Sequence, residues 1–464
     1  MEKTGGSPES PILEIPRYVE SFLERFVPSM GGSVHWGLER IGKFLKNTGN
    51  PHVNYPVIHV GGTNGKGSVA ASLASVLGVK GHSVGLYTSP HLCSFNERIQ
   101  LGSKYASDQS LRDLIRDVGP EMERCGLSFF EAVTGLAFHM FEREGIDLAV
   151  VEVGLGGRLD ATNVVAPQVT IITPISLDHM EILGNTLGEI ATEKSGIIKP
   201  GVPVVIAHQE SEVLNVILSK CEELSCLRVL IGQDITWTLK SRSPTSQSSI
   251  IHGRLGDYSV NIPLIGSHQL ENAACAVAAL EIMIEKGYPI TADDISKGIE
   301  MAFWPCRMEV LAESPLTMVD GAHNPASMKL LLESLPKYLD FDQISLIVGF
   351  SSDKQVTEMV EILSGVDPRV YATRSRHPRS VSEDTICDLF QQRGLKNVQE
   401  VGDVKSAGAL AMQEAKNNDL ILATGSLFIA AELRESILGI EPEIYPDLLA
   451  KRGIRDSNKA PYGG

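Results

Sequence analysis

Residues 62–68 read Gly-Thr-Asn-Gly-Lys-Gly-Ser, between a short apolar run and a stretch with helical patterning. A strand, a glycine-rich turn and a helix N-terminus together form a phosphate cradle, because main-chain N–H groups and the helix dipole face the anion. Gly62, Gly65 and Gly67 let the backbone approach closely. Lys66 can reach the β- and γ-phosphates, and Ser68 or Thr63 can offer a hydroxyl to phosphate or magnesium. The segment departs from the strict G-x-x-x-x-G-K-[ST] pattern, since Gly67 separates Lys66 from Ser68. The competing reading is a tight strand-to-helix turn with an incidental lysine.

A nucleoside triphosphate is handled with Mg²⁺, held by oxygen ligands, commonly one or two carboxylates with water. Glu152 falls near the end of the apolar run 148–153, where a carboxylate without a partner is costly to bury. Ser89 follows the run 84–87, and His179 follows the run 169–173. In a parallel sheet the strand C-termini line the ligand crevice. Lys66, Ser89, Glu152 and His179 therefore converge on one sheet edge, and that convergence says more than any one of them. Taken singly, each has a plainer reading: a buried Glu–Arg pair, a structural histidine, a turn at Ser89-Pro90.

The elements that must position these residues are apolar strands alternating with helical patterns. Strand candidates are 57–60, 84–87, 148–153, 169–173 and 203–207, with a helix through Val69, Leu73, Val76 and Leu77. Continuous apolar strands separated by helices imply an α/β fold with a parallel sheet covered on both faces. A second series follows at 316–319, 344–348, 369–372 and 420–423. The boundary is expected near Phe303-Trp304-Pro305, where a proline follows a helical stretch. This divides the chain into 1–303 and 304–464. The Ser-rich stretch 241–249 is expected to be an exposed loop inside the first part.

The 464 residues favour two or three domains, and 43 % hydrophobic with 21 % charged content is that of a soluble globular protein. A formal net charge of −16 argues against a nucleic-acid partner, and it means that any anion site must be built locally. Seven cysteines, with no C-x-x-C pair, point to reduced thiols and a cytoplasmic location. No apolar run approaches the ~20 residues of a membrane span. The two ends, 1–10 and 455–464, read as loose polar tails without a signal-peptide core.

The chain resembles folylpolyglutamate synthase/dihydrofolate synthase of the Mur ligase superfamily. The resemblance rests on GTNGKGS at 62–68, TSPHLCSFNERI at 88–99, VEVGLGGRLDATN at 151–163, LDHMEILG at 177–184 and EKSGIIK at 193–199. QLENA at 269–273, WPCR at 304–307, DGAHNP at 320–325 and GSL at 425–427 extend it over most of the chain. It implies an N-terminal P-loop ATPase-type domain with a parallel or mixed sheet, then a smaller Rossmann-like domain on the glutamate side, with ATP in the cleft between them.

Residue by residue, the resemblance implies that Asn64, Gly65, Lys66, Gly67 and Ser68 hold the ATP phosphates, and that Asn272, Arg307 and Asp320 also contact ATP. Ser89, Glu152 and His179 would bind Mg²⁺. Lys194 matches a lysine carbamylated in such enzymes, whose carbamate would sit beside a second Mg²⁺. Lys66, His179, Lys194 and Arg307 are the catalytic candidates. His35, Trp36, Gly37, Leu38, Phe129, Phe130, Leu159, Asp160 and Ala161 fall where the pterin-bearing substrate would bind, with His323 and Ser426 on the glutamate or ATP side. The hinge of the family usually reads Pro-Gly-Arg, whereas here it is Pro305-Cys306-Arg307. If that position needs a positive φ, the cysteine is strained by about 1 kcal/mol or more.

The implied reaction joins glutamate to a folate or a dihydropteroate through an acyl phosphate, on a monomer without a membrane or nucleic-acid partner. Alternatives are a ligase acting on a cell-wall precursor, a P-loop hydrolase and a non-catalytic nucleotide-binding module. VEVGLGGRLDATN and the TSPHL segment weigh against the first. Lys66, Glu152 and His179 weigh against the last.

Overall fold

The computed structural model describes residues 37–441, together with Phe22 and Glu24–Phe26. The first sheet contains β1 (Val57–Gly61), β2 (Val84–Tyr87), β3 (Ile99–Leu101), β4 (Lys104–Tyr105), β5 (Leu148–Glu152), β6 (Val169–Ile172), β7 (Val204–Ile206) and β8 (Arg228–Leu230). Its spatial order is β4-β3-β2-β5-β1-β6-β7-β8, parallel except for the antiparallel pairs β2/β3 and β3/β4. Every residue of β1, β2, β5, β6 and β7 is buried, which is why these strands read as unbroken apolar runs.

Alternation along β1 and β5 feeds two cores. Ile58, Val60, Leu148 and Val150 face the core shared with the helices Lys66–Val79 and Ser267–Glu285. Val57, Ala149 and Val151 face the core shared with Glu39–Asn47, Asp108–Cys125 and Phe129–Arg143. In register, Val60 lies opposite Glu152 and Gly61 opposite Ile172. The loops after β1, β5 and β6 therefore leave the sheet on the same edge.

A three-stranded antiparallel sheet follows, with β9 (Thr236–Arg242), β10 (Gln247–His252) and β11 (Asp257–Ile262) in the order β11-β10-β9. This corrects the expected loop at 241–249: only residues 243–246 connect the two strands. Serine composition misleads here because the ladder and side-chain bonds satisfy the polar groups. Gln247, for example, is buried and donates to the carbonyls of Leu264 (2.8 Å) and Gly266 (2.9 Å).

The last sheet contains β12 (Glu309–Glu313), β13 (Leu316–Val319), β14 (Ile344–Val348), β15 (Arg369–Ala372), β16 (Val398–Glu400) and β17 (Leu420–Thr424), ordered β12-β13-β17-β14-β15-β16. β12 is antiparallel to β13 and the other pairs are parallel. The strands expected from apolar runs are all present. Those the runs do not reveal (β3, β4, β8 to β12 and β16) are short, half-exposed or alternating. Residues 301–308 connect the helix Ala292–Glu300 to β12 and run between the two large sheets. Among the described residues, no helix is long and apolar enough to cross a membrane.

Candidate functional site

The chain leaves β1 into a turn fixed by main-chain bonds. Thr63 and Asn64 N–H both donate to the Pro174 carbonyl (3.0 and 3.2 Å), and Thr63 Oγ1 bonds both main-chain groups of Ser176. Gly65, at φ +90°, precedes the helix Lys66–Val79, a conformation that a residue with a Cβ adopts only under strain. Gly67 is needed for a different reason. A Cβ there would lie 2.5 Å from Trp304 Nε1 and 2.7 Å from Cε2, so the connecting segment packs its indole directly on the helix start. The departure from the strict phosphate-loop pattern thus has a steric cause about 240 residues downstream. Lys66 Nζ folds back onto the carbonyls of Gly62 (3.3 Å) and Thr63 (3.1 Å). Ser68 Oγ is buried without a hydrogen-bond partner.

Glu152 is buried at the end of β5 and accepts the Ser89 N–H at 3.2 Å. Burial raises its pKa, while Lys66, the Ser89 N–H and Arg307 act in the opposite direction. Lys194, on the helix Leu187–Ser195, is also buried and donates to the Gly62 carbonyl at 2.7 Å. Burial first, then the nearby Lys66, lowers its pKa to about 7. A lysine so placed holds a substantial neutral fraction near neutrality.

Asp178 and His179 follow β6 and meet residues of the last sheet. Lys354 Nζ lies 2.6 Å from Asp178 Oδ1 and 3.0 Å from His179 Nε2, and His323 Nε2 lies 3.7 Å from Asp178 Oδ2. Burial would raise the Asp178 pKa, but His323, Lys354 and His179 together hold it well below the carboxylate range. Burial lowers His179 to about 4.

Asp320 binds the backbone of the connection, accepting N–H bonds from Met308 and Ala322 at 2.8 Å each. Arg307 donates to the Cys306 carbonyl at 2.8 Å. Cys306 has φ +57°, so the position does require the left-handed region and the cysteine carries the expected strain. Asn272 Nδ2 donates to Gln269 Oε1 at 2.9 Å.

These groups line two cavities. The first, of about 460 Å³, is bounded by Asn64, Gly65, Lys66, Gly67, Ser68, Ser89, Glu152, His179, Lys194, Asn272, Arg307, Asp320 and His323. The second, of about 520 Å³, is bounded by Gly37, Phe129, Phe130, Leu159, Asp160, Ala161, His323 and Ser426, with Arg40, Arg98, Lys354 and Arg379. Ser89, Pro90, Gly154, Leu155, His179, His323 and Leu427 belong to both walls. The two spaces therefore meet beside Ser89, His179 and His323.

Leu38 lines neither cavity and packs against the core instead. His35 and Trp36 lie outside the described residues. Asp160 and Ser426 have their side chains engaged locally: Asp160 accepts from Leu155 N–H and Thr162, and Ser426 caps the helix Leu427–Leu438. Sequence reasoning misses Lys354, Asp353, Arg40 and Arg98 as wall residues, since no local pattern marks a side chain that reaches a distant loop.

Among the described residues, no three His, Cys, Asp or Glu side chains form a ready metal cage. Mg²⁺ does not need one, because phosphate oxygens and waters complete its shell. The buried Glu152 carboxylate and the unpartnered Ser68 hydroxyl fit such a partial site. His179 fits less well as it stands, with Lys354 on its Nε2.

Two family models match: the Mur ligase middle domain over residues 127–280 and the Mur ligase glutamate ligase domain over 306–427. The folylpolyglutamate synthase of Lacticaseibacillus casei is 33 % identical over 412 residues, covering 86 % of this chain and 94 % of that protein. The dihydrofolate synthase/folylpolyglutamate synthase of Bacillus subtilis is 32 % identical over 410 residues, covering 86 % and 95 %. A probable bifunctional folylpolyglutamate synthase/dihydropteroate synthase of Halobacterium salinarum is 33 % identical, but the chain spans only about half of it, 49 %. Among solved structures, Mycobacterium tuberculosis folylpolyglutamate synthase complexed with ADP superposes with a TM-score of 0.86 at 29 % identity, over 92 % of this chain and 99 % of that one. Escherichia coli FolC in complex with DHPP and ADP gives 0.82 at 27 % identity, over 92 % and 98 %.

Proposed function

The chain belongs to the folylpolyglutamate synthase/dihydrofolate synthase family of Mur ligases, and on that premise we propose that it is an ATP-dependent ligase that joins L-glutamate to a folate. Ligation of glutamate to dihydropteroate by the same site is part of the proposal, supported by relatives that carry both names. The observation that carries the reading is the meeting of the two cavities at Ser89, His179 and His323. A nucleotide in the first would present its terminal phosphate to a carboxylate held in the second. We place the domain boundary at 303/304, within the connection that packs Trp304 on Gly67.

In this reading the N–H groups of Gly65 to Ser68, at the helix start, hold the phosphates, with Asn272 and Asp320 toward the remainder of the nucleotide. Lys66 and Arg307 offset charge as the substrate carboxylate oxygen bonds the γ-phosphorus and ADP leaves. The glutamate amine, having lost a proton, then attacks the acyl carbon. The C–N bond forms, the nitrogen gives up a second proton, and the C–O bond breaks as inorganic phosphate leaves with the bonding pair. Phe129, Phe130, Leu159 and Ala161 provide the apolar wall for a pterin, and His323 and Ser426 lie on the side where glutamate would enter. Mg²⁺, when bound, would neutralise phosphate charge, with Ser68, Ser89 and Glu152 as its holders and His179 once Lys354 withdraws. The neutral amine that burial favours at Lys194 is the form that adds CO₂, bonding its nitrogen to carbon and releasing a proton, so carbamylation there is chemically accessible. Contact across the two large sheets, as in Lys354–Asp178, supports a cleft that closes to keep water from the acyl phosphate.

The test measures ADP release by the purified protein with ATP, Mg²⁺ and either tetrahydrofolate or dihydropteroate, with and without glutamate. Release is expected to require both the pterin and glutamate. Release independent of either one sinks the ligase reading, and release with one pterin alone reduces it to a single activity.

A further inference from the structure

His59 is the one ionisable side chain of the central strand β1, and it is fully buried. Nothing in the reaction proposed above uses it. Its Nε2 is 2.9 Å from Thr162 Oγ1. Thr162 Oγ1 in turn bonds Asp160 Oδ1, and Thr162 N–H donates to the same oxygen at 3.0 Å. The other oxygen, Asp160 Oδ2, accepts the Leu155 N–H at 2.9 Å. A row of three side chains therefore runs from the middle of the sheet to the loop that follows β5.

Burial raises the Asp160 pKa, while the Thr162 hydroxyl and the N–H groups of Leu155, Thr162 and Gly154 lower it. With the carboxylate ionised, counting hydrogens sets the direction of this row. A threonine hydroxyl has one hydrogen, and here it goes to the carboxylate. The hydroxyl can then only accept from His59, so His59 carries its proton on Nε2. Its Nδ1 is left as a bare acceptor, buried and without a partner. Burial, with Lys199 nearby, lowers the His59 pKa to about 3, so the ring remains neutral throughout the working range.

The loop at the end of this row walls the reaction site. Gly154 and Leu155 border both cavities, and Leu159, Asp160 and Ala161 border the second. On its far side the same loop touches the helix that carries Lys194: Arg158 N–H donates to the Glu193 carbonyl at 2.8 Å, and Asn163 Nδ2 to the Gly196 carbonyl at 3.1 Å. Those bonds hold the loop's outer face. The Asp160 bond to Leu155 holds its inner end, and Asp160 is buried with one oxygen accepting from Leu155 and the other from Thr162.

We infer that His59 is a positioning residue, whose Nε2–H, relayed through Thr162 to Asp160, sets the loop 154–161 for the substrate in the second cavity. This rests on the ligase reading for its kinetic readout only. A glutamine amide nitrogen stands where His Nε2 does and can donate, whereas an asparagine nitrogen corresponds to Nδ1 and falls short.

The experiment compares His59→Gln, His59→Asn and Thr162→Val with the wild type, in KM for the pterin substrate and for ATP. His59→Asn and Thr162→Val are expected to raise the pterin KM roughly tenfold, the worth of one net hydrogen bond, with the ATP KM within about twofold. His59→Gln is expected to stay near wild type. If glutamine fails as asparagine does, or if both KM values rise together, His59 is packing only and the inference is overturned. Nitrogen-15 NMR of the wild-type histidines, with the His59 signal assigned by its loss in His59→Gln, gives a readout independent of activity. A pyridine-like Nδ1 is expected, and a pyridine-like Nε2 overturns the inference. A wild type without pterin- and glutamate-dependent ADP release defeats the ligase reading instead, and leaves the NMR result to decide this one.

Discussion

The two cavities share a wall but are built from different materials. The first is made of backbone: a turn whose N–H groups bond the Pro174 carbonyl, a glycine at positive φ and the start of a helix, with charged side chains brought to it. The second is made of side chains drawn from widely separated segments: Phe129 and Phe130 at a helix start, Leu159 and Ala161 on a loop, Arg379 and Phe428 from the last domain. A backbone site tolerates little change in sequence, because its geometry is the geometry of the chain. A side-chain site can be rebuilt from other residues while keeping its shape. The difference predicts that injuries to the first cavity fall on turnover and those to the second on recognition.

The largest effect is expected at Lys66. Lys66→Ala should lower kcat by roughly 100- to 1,000-fold, the scale for losing one donor to developing charge, while binding of the pterin, followed by fluorescence, is unchanged. Near-normal turnover would remove this lysine from the reaction and end the contrast between the cavities.

Gly67→Ala should be next. The added methyl meets the Trp304 ring, and overpacking of this kind costs about 1–3 kcal/mol. Nucleotide affinity and melting temperature should both fall, and Trp304→Ala in the same chain should restore much of the loss. Failure of the second change to rescue the first would show that the glycine serves the phosphate rather than the indole.

The smallest effect concerns Lys194, a buried wall residue of the first cavity. The folded chain releases the Lys194 proton at about 7, against 10.5 for an ordinary lysine. Between those values the unfolded chain binds more protons, so this residue makes stability rise with pH, and below pH 7 its penalty is complete. Lys194→Met should therefore flatten the dependence of the denaturation midpoint on pH between about 7 and about 10. An unchanged slope would mean that Lys194 titrates near its ordinary value in the folded chain, or that another group sets the slope.

Much of the fold is legible in the order of the residues alone. The apolar runs 84–87, 316–319, 344–348 and 369–372 coincide with β2, β13, β14 and β15, since strands covered on both faces leave an unbroken apolar run. The Ser-rich β9–β10 hairpin is not legible in this way, because its polar side chains are satisfied by partners that composition does not reveal. Cys306 stands out by its departure from the hinge pattern, and its φ of +57° bears out the strain. Resemblance points to Asp160 as a substrate contact; it borders the second cavity, and its carboxylate accepts from Leu155 and Thr162.

The phosphate loop, the strand series and the residues placed at strand ends are specified by the amino-acid order, because each depends on neighbours a few positions apart. Folding in three dimensions adds that Trp304 makes Gly67 necessary, that Lys354 reaches Asp178 and His179, and that His59 supports Asp160 through Thr162. Each of these joins side chains whose separation along the chain carries no periodic or local signal. Packing and hydrogen bonding act through distances of a few ångströms in space, and the chain brings those distances about only once both sheets are in place.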